Sequence, residues 1–235
     1  MRQSWRVVPW LCLQTRCSHD YEIRRQSVTY PNAVYTIGHS THSIETLTDL
    51  LTRHGVTAVG DVRSKPYSRS NPQFNRDELR QSLRQARIAY VSMGHQLGGR
   101  PGDPSSYVDG KLQYDLLAGT RDFSLGLDRV IKGARTQRIA LMCAEKDPLT
   151  CHRAILIARY LDDRGITVEH ILEDGRLERH SDSVARLLAE LHMEQPELFR
   201  THVDQIAEAY RRRGQQIAYN EKPVGAEAST QSTTR

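Results

Sequence analysis

The sequence lacks any run of about 20 apolar residues, the length that a membrane-spanning helix needs. It also lacks a disulfide framework, because its four cysteines are too few and too irregularly spaced for a small secreted scaffold. They are Cys12, Cys17, Cys143 and Cys151. These absences predict a water-soluble, cytoplasmic protein with reduced thiols and no membrane contact.

Several familiar site motifs are missing too. There is no glycine-rich dinucleotide fingerprint, no Walker-type phosphate loop and no paired C-x-x-C. Cys143 has no arginine six residues after it, so a phosphatase-type cysteine loop is also excluded. No reaction can therefore be assigned from a short motif alone.

The bulk properties point to one domain with appendages. The chain has 235 residues, a net charge of +5 and a pI near 9.1, which favour anionic partners such as phosphate esters or nucleic acid. Changes in texture along the chain predict four segments: a disordered leader or misassigned start at 1–32, an α/β core at 33–178, a helical extension at 179–219 and a disordered tail at 220–235.

Strand-like and helix-like segments alternate through the core. This alternation predicts an α/β fold with a mainly parallel central sheet of about five strands and helices on both faces, followed by the helical extension. The order of the strands is not determined. The predicted strands are 34–37, 56–62, 88–93, 138–142 and 167–172, and the predicted helices begin near 44, 76, 123 and 151.

Polar residues follow the predicted strands. Because ligands bind outside the carboxyl ends of the strands in such sheets, we expect these residues to share one pocket that binds an anion. The candidate catalytic residues are Cys143, Glu145, Cys151, Asp61 and His39. The candidate substrate contacts are Ser40, Arg63, Ser68, Arg69, Gly98, Gly99, Arg100, His152 and Arg153.

Individual roles remain open at this level. A thiol at Cys151, in the first turn of a helix, would be stabilised as thiolate, although a structural cap is the alternative. Asp61 and Arg63 lie on the same face of a strand, so they form either an ion pair or a fork for an anion. His39 is a candidate base or ligand.

The segments YTIGHS from position 35, DVR from 61 with Pro66 and Ser68-Arg69, LGGR from 97, and LMCAE from 141 followed by CHR from 151 form an ordered set. Over about residues 33–175 the chain resembles the uncharacterised bacterial family catalogued as domain of unknown function 488. The resemblance implies a compact α/β fold but no established reaction; some members are labelled as related to DNA repair.

Three functions compete. The first is a cysteine-dependent hydrolase or transferase that acts on a phosphate-bearing or nucleobase-containing substrate. The second is a zinc or iron site built from Cys143, Cys151 and His152, but adjacent cysteine and histidine are not expected to face one ion, so no cofactor is predicted. The third is a nucleic-acid-binding module that uses the basic loop, with Tyr67 and Phe74 for stacking. The oligomeric state stays unknown.

Overall fold

The computed structural model describes residues 33–195 and 201–221. Its centre is a six-stranded sheet in the order β3-β2-β6-β1-β7-β8, in which all pairs are parallel except the antiparallel edge pair β7–β8. The expectation of an α/β fold with a mainly parallel sheet is confirmed. The predicted leader at 1–32 and nearly all of the predicted tail lie outside the described residues.

The strands and helices follow one another along the chain with short connections. The strands are β1 Ala33–Gly38, β2 Ala58–Asp61, β3 Ala89–Ser92, β4 Tyr107–Val108, β5 Lys111–Leu112, β6 Ile139–Cys143, β7 Thr167–Ile171 and β8 Leu177–Arg179. The helices are α1 Ile44–Arg53, α2 Arg76–Gln85, α3 Gly94–Leu97, α4 Tyr114–Ala118, α5 Arg121–Ala134, α6 Arg159–Asp162, α7 His180–Glu190 and α8 His202–Ile217.

Helix α1 shows how local sequence sets an element. Ser43 caps its first turn by accepting a hydrogen bond from the backbone of Thr46. Leu47 and Leu51 lie one turn apart and are fully buried. Gly55 ends the turn after the helix in the left-handed conformation, with φ of +63°, that glycine adopts without strain. Cap, stripe and stop were all visible in the sequence.

Two parts of the fold differ from expectation. Residues 98–120 contain a 3₁₀ turn, the small hairpin β4–β5 and helix α4, none of which was predicted because each is too short to show a period. The sixth strand, β8, was missed for the same reason: its three residues add an antiparallel edge to the sheet.

The buried residues form one apolar cluster on each face of the sheet, as expected for a sheet covered by helices on both sides. A third cluster joins α7 and α8 to the loop after β6, through residues such as Leu149, Leu187 and Tyr210. The C-terminal helices therefore pack against the region that follows β6. Among the described residues, no helix is both long and apolar enough to cross a bilayer.

Candidate active site around Cys151

The site begins at the carboxyl end of the central strand β6. Gly38 of β1 pairs with Cys143, and Asp61 of β2 pairs with Met142, so three strands end side by side. The backbone N–H of His39 continues the ladder by donating to the Cys143 carbonyl at 2.9 Å. Residues far apart in the sequence are thus brought to one edge of the sheet.

The loop after β6 is held against β1 by a buried arginine. Arg153 is 0% exposed, and its guanidinium donates to the carbonyls of Glu145 at 2.7 Å and Lys146 at 2.9 Å. Gly38 makes room for this approach, because a Cβ at that position would lie 1.8 Å from the Glu145 carbonyl oxygen. Arg153 was predicted to hold an anionic substrate. The structure instead encloses it in protein, where it positions the loop.

Four polar side chains meet behind this loop. The Cys151 sulfur lies 3.0 Å from Glu145 Oε2 and 3.8 Å from His152 Nδ1. The Cys143 sulfur lies 3.6 Å from the same nitrogen. We call Cys143, Glu145, Cys151 and His152 the thiol cluster.

Cys151 lies just before a helix rather than in its first turn. Its backbone is extended, with φ of −134° and ψ of 143°, and a π-helical turn, Arg153–Ala158, follows His152. The sulfur still meets the start of the helix, since the Arg153 backbone N–H points to it at 3.4 Å. The reversal of direction between Cys151 and His152 lets both side chains face one point, contrary to the expectation from their adjacency.

The cluster is polarised. Burial alone would raise the pKa of Cys151, but the hydrogen bond from Cys143 and the positive charges of Arg153 and His152 outweigh it, so the pKa lies well below its ordinary value. The hydrogen bond to Cys151, together with burial, raises the pKa of Cys143 well above its ordinary value. One thiol is therefore poised as thiolate and its neighbour as a proton donor.

The carboxyl and the imidazole complete this arrangement. Desolvation in the crowded mouth of the site, with the charge on Cys151, raises the pKa of Glu145, although the residue as a whole is exposed. Burial would lower the pKa of His152, but the bond to Cys151 and the charges of Cys151 and Glu145 raise it. As imidazolium, His152 donates one N–H towards the sulfurs and the other to the Val62 carbonyl at 3.3 Å.

Asp61, Arg63 and His39 form a separate buried network. Arg63 makes a two-point ion pair with Asp61, through Nε at 2.9 Å and Nη2 at 2.7 Å, and Tyr90 donates its hydroxyl to the same carboxylate at 2.9 Å. Arg63 also donates to the Phe74 carbonyl at 2.8 Å. The ion-pair alternative for Asp61 and Arg63 is the one that the structure contains.

His39 is not free to act as a base. Its Nδ1 donates to the Ser40 carbonyl at 2.9 Å, which leaves Nε2 to accept from Arg63 at 3.2 Å. Burial lowers the pKa of His39 to about 4, and the charge of Arg63 acts in the same direction. The ring packs on Phe74 with 4.3 Å between centroids. His39 therefore stays neutral and helps to support Arg63.

A cavity of about 360 Å³ opens on the thiol cluster. Cys151 is only 1% exposed, so its sulfur can be reached only by a group that enters this cavity. Lys65 and Arg100 are exposed on its wall and contribute positive charge. Of the residues predicted from the sequence, those in the wall are Cys143, Glu145, Cys151, Arg63, Gly99, Arg100 and His152.

Other predicted residues lie away from the cavity wall. Ser68 and Arg69 belong to the basic loop, where the Ser68 hydroxyl accepts from the Asn71 N–H at 3.1 Å. Gly98 packs against the backbone of Gly94. Phe74, proposed for stacking, is fully buried. Those outside the wall are Asp61, His39, Ser40, Ser68, Arg69, Gly98 and Arg153.

Sequence reasoning missed part of the wall. Tyr114 of α4, and Ile217 and Tyr219 at the C-terminal end, also line the cavity. Tyr219 is held there by the Leu112 N–H, which donates to its carbonyl at 2.9 Å, and by Arg100, whose guanidinium lies 4.6 Å from its ring centroid. No local signal marks these residues, because only tertiary packing brings the end of α8 to the sheet edge.

Comparison with curated proteins and with solved structures gave no match. The match to a family model is narrower than the resemblance over 33–175, but it includes every residue of the thiol cluster. It covers residues 43–161, which is 119 of the 235 residues. On this match, the chain belongs to the family described as domain of unknown function DUF488.

Proposed function

We propose that this protein is a cysteine-dependent hydrolase or transferase whose substrate carries an anionic group, such as a phosphate ester or a nucleotide. The observation that carries the proposal is the 3.0 Å contact between the Cys151 sulfur and the Glu145 carboxyl, on the wall of a cavity that also presents Lys65 and Arg100. A nucleophile and an acid–base group in contact, beside cations, form a common plan for covalent catalysis.

The residues suggest definite roles. The Cys151 thiolate would attack the electrophilic carbon or phosphorus of the substrate, and His152 would balance its charge before the attack. The bond to the leaving group breaks as Glu145 gives that group a proton. Glu145, now a carboxylate, then takes a proton from water or an acceptor alcohol that displaces Cys151 and restores the thiolate. Lys65 and Arg100 would bind the anionic part of the substrate.

Thiol reactivity tests the role of Cys151 without knowledge of the substrate. Alkylation with iodoacetamide, mapped by mass spectrometry, should modify Cys151 at neutral pH while Cys143 in the same cavity reacts slowly. Equal and slow reaction of both sulfurs at pH 7 would exclude the proposed nucleophile.

Turnover tests the complete mechanism. With p-nitrophenyl phosphate and a panel of nucleotides as probes, Cys151→Ser should abolish any hydrolysis that the native protein shows. Glu145→Gln should lower the rate by about 10²–10⁴. Hydrolysis by both variants at the native rate would disprove the assigned roles.

The same geometry favours a second candidate, a metal site. The ligand atoms of Cys143, Cys151 and His152 lie within 4.8 Å of one another, and the measured sulfur–nitrogen separations are 3.6 and 3.8 Å. With sulfur at about 2.3 Å and nitrogen at about 2.0 Å from zinc, a tetrahedral site spaces its ligands at about 3.6 Å. A zinc ion held there would supply a Lewis acid beside Glu145.

Metal analysis separates the two candidates, since the spacing fits both a bound ion and a metal-free thiol cluster. Stoichiometric zinc or iron in the purified protein, lost on mutation of Cys143→Ser, would support the metal site and displace Cys151 from the role of nucleophile. Protein that alkylates at Cys151, and takes up no zinc when titrated with it, would support the thiolate enzyme.

A further inference from the structure

Three arginines form a stripe along helix α2. Arg76, Arg80 and Arg84 are exposed and follow one another at intervals of four residues. At 3.6 residues per turn they lie within a sector of about 80°, roughly one turn apart. We call these residues the α2 stripe.

The stripe is unfavourable for the isolated helix. Like charges four residues apart repel one another, and Arg76 lies in the first turn, where the helix dipole disfavours a cation. In the described part of the chain, no carboxylate forms an ion pair with any of the three. The fold therefore maintains a row of positive charges that it does not neutralise internally.

The stripe leads into a second cavity. Arg76 lines a space of about 650 Å³ that shares Arg63, Ser64 and Arg100 with the cavity at the thiol cluster. Arg121 adds another exposed cation to its wall. The two spaces therefore adjoin, and the stripe starts where they meet.

The polar groups of this second cavity suggest a ligand. Its two aspartates are engaged elsewhere: Asp103 accepts from the Ser105 N–H at 2.9 Å, and Asp122 lies 3.8 Å from His95. Ser106 is fully buried in the same wall, and its hydroxyl has no hydrogen-bond partner. A buried hydroxyl without a partner is destabilising, and a bound acceptor such as a phosphate oxygen would satisfy it.

We infer that the substrate is a single strand of nucleic acid, whose backbone follows the α2 stripe and the second cavity while one nucleotide enters the cavity at the thiol cluster. A polyanion matches a row of cations that continues beyond a pocket large enough for one nucleotide. Tyr67 is 70% exposed in the wall of the cavity at the thiol cluster, where a base can stack on it. This inference rests on the proposed function and names its substrate class.

Fluorescence anisotropy with labelled single strands of about 12 nucleotides, one of DNA and one of RNA, tests this inference. Arg80→Glu/Arg84→Glu should weaken binding at least about tenfold and lower the slope of log affinity against log salt by about two, one for each lost phosphate contact. The matched control is Lys132→Glu/Arg135→Glu, which reverses two exposed charges at the end of α5 and should leave affinity unchanged.

The outcomes are distinguishable. Tight binding of either strand with these effects supports the inference, and the preferred strand identifies the substrate as DNA or RNA. Equal loss in the control pair, or polyglutamate that competes as well as the strand at equal charge, overturns it. Cys151→Ala should keep the strand affinity: if Cys151 proves inert while the stripe still binds, the proposed chemistry fails alone, and if Cys151 is reactive but the stripe variants bind normally, the nucleic-acid substrate fails alone.

Discussion

Removal of the Asp61 carboxylate should destabilise the protein strongly, because it leaves a guanidinium buried without its partner. Asp61 accepts from the Arg63 backbone N–H, Nε and Nη2 and from the Tyr90 hydroxyl, at 3.1, 2.9, 2.7 and 2.9 Å. Arg63 is only 7% exposed. Loss of one partner from a buried pair costs about 3–5 kcal/mol, a large part of the stability of a typical domain.

Urea unfolding followed by far-UV circular dichroism measures this effect. Tryptophan fluorescence is unsuitable because both tryptophans, Trp5 and Trp10, lie outside the described fold. With a slope of about 3 kcal/mol per molar urea, Asp61→Ala should lower the midpoint by about 1–1.5 M. Asp49→Ala is the matched control, since Asp49 forms an exposed ion pair with Arg53 and should contribute no more than about 1 kcal/mol.

A double-mutant cycle then tests the cause. Arg63→Met combined with Asp61→Ala removes both charges, so the double variant should lose clearly less stability than the sum of the single variants. A loss below about 1 kcal/mol in Asp61→Ala, or strict additivity in the cycle, would refute the assignment. Arg63 would then be free to bind an anion, as one of the sequence-based alternatives supposed.

Three further predictions concern pH, the loop and the thiolate. Burial lowers the pKa of His39 and of His180 from 6.5 to about 4, so the unfolded chain binds more protons between these values. Unfolding free energy should therefore be fully present above pH 6.5 and fall as the pH drops towards 4, by up to about 3 kcal/mol per histidine; urea titrations at several pH values with no such fall would contradict this. Gly38→Ala places a Cβ against the Glu145 carbonyl, so it should cost about 1–3 kcal/mol and impair turnover, with a native melting curve as the opposing result. His152→Asn removes a charge that lowers the pKa of Cys151, so alkylation at neutral pH should slow about tenfold per unit of pKa gained, and an unchanged pH profile would show that His152 has no such effect.

Much of the fold could be predicted because its signals are local. The cap at Ser43, the buried leucines of α1 and the stop at Gly55 each depend on a few neighbouring residues, and the structure has them as expected. Short elements such as β8 carry too few residues for a period to show, so they appeared only in the structure.

The candidate site was only partly predictable. Cys143, Glu145 and Cys151 lie close to one another along the chain, and the end of β6 places all three in the cavity wall. Their placement followed from the general rule for parallel sheets. The rule cannot tell which polar residues at a strand end face the ligand and which support the loops, as Arg153 and His39 do.

Taken alone, the order of residues determined the class of fold and the edge of the sheet where chemistry-bearing side chains collect, because periodicity and strand ends are properties of short segments. Tertiary structure decided the remainder: the pairing of Arg63 with Asp61, the convergence of Cys151 and His152, and the placement of Tyr219 beside them. These depend on side-chain directions and on contacts between distant segments, and burial then sets which groups keep their charge.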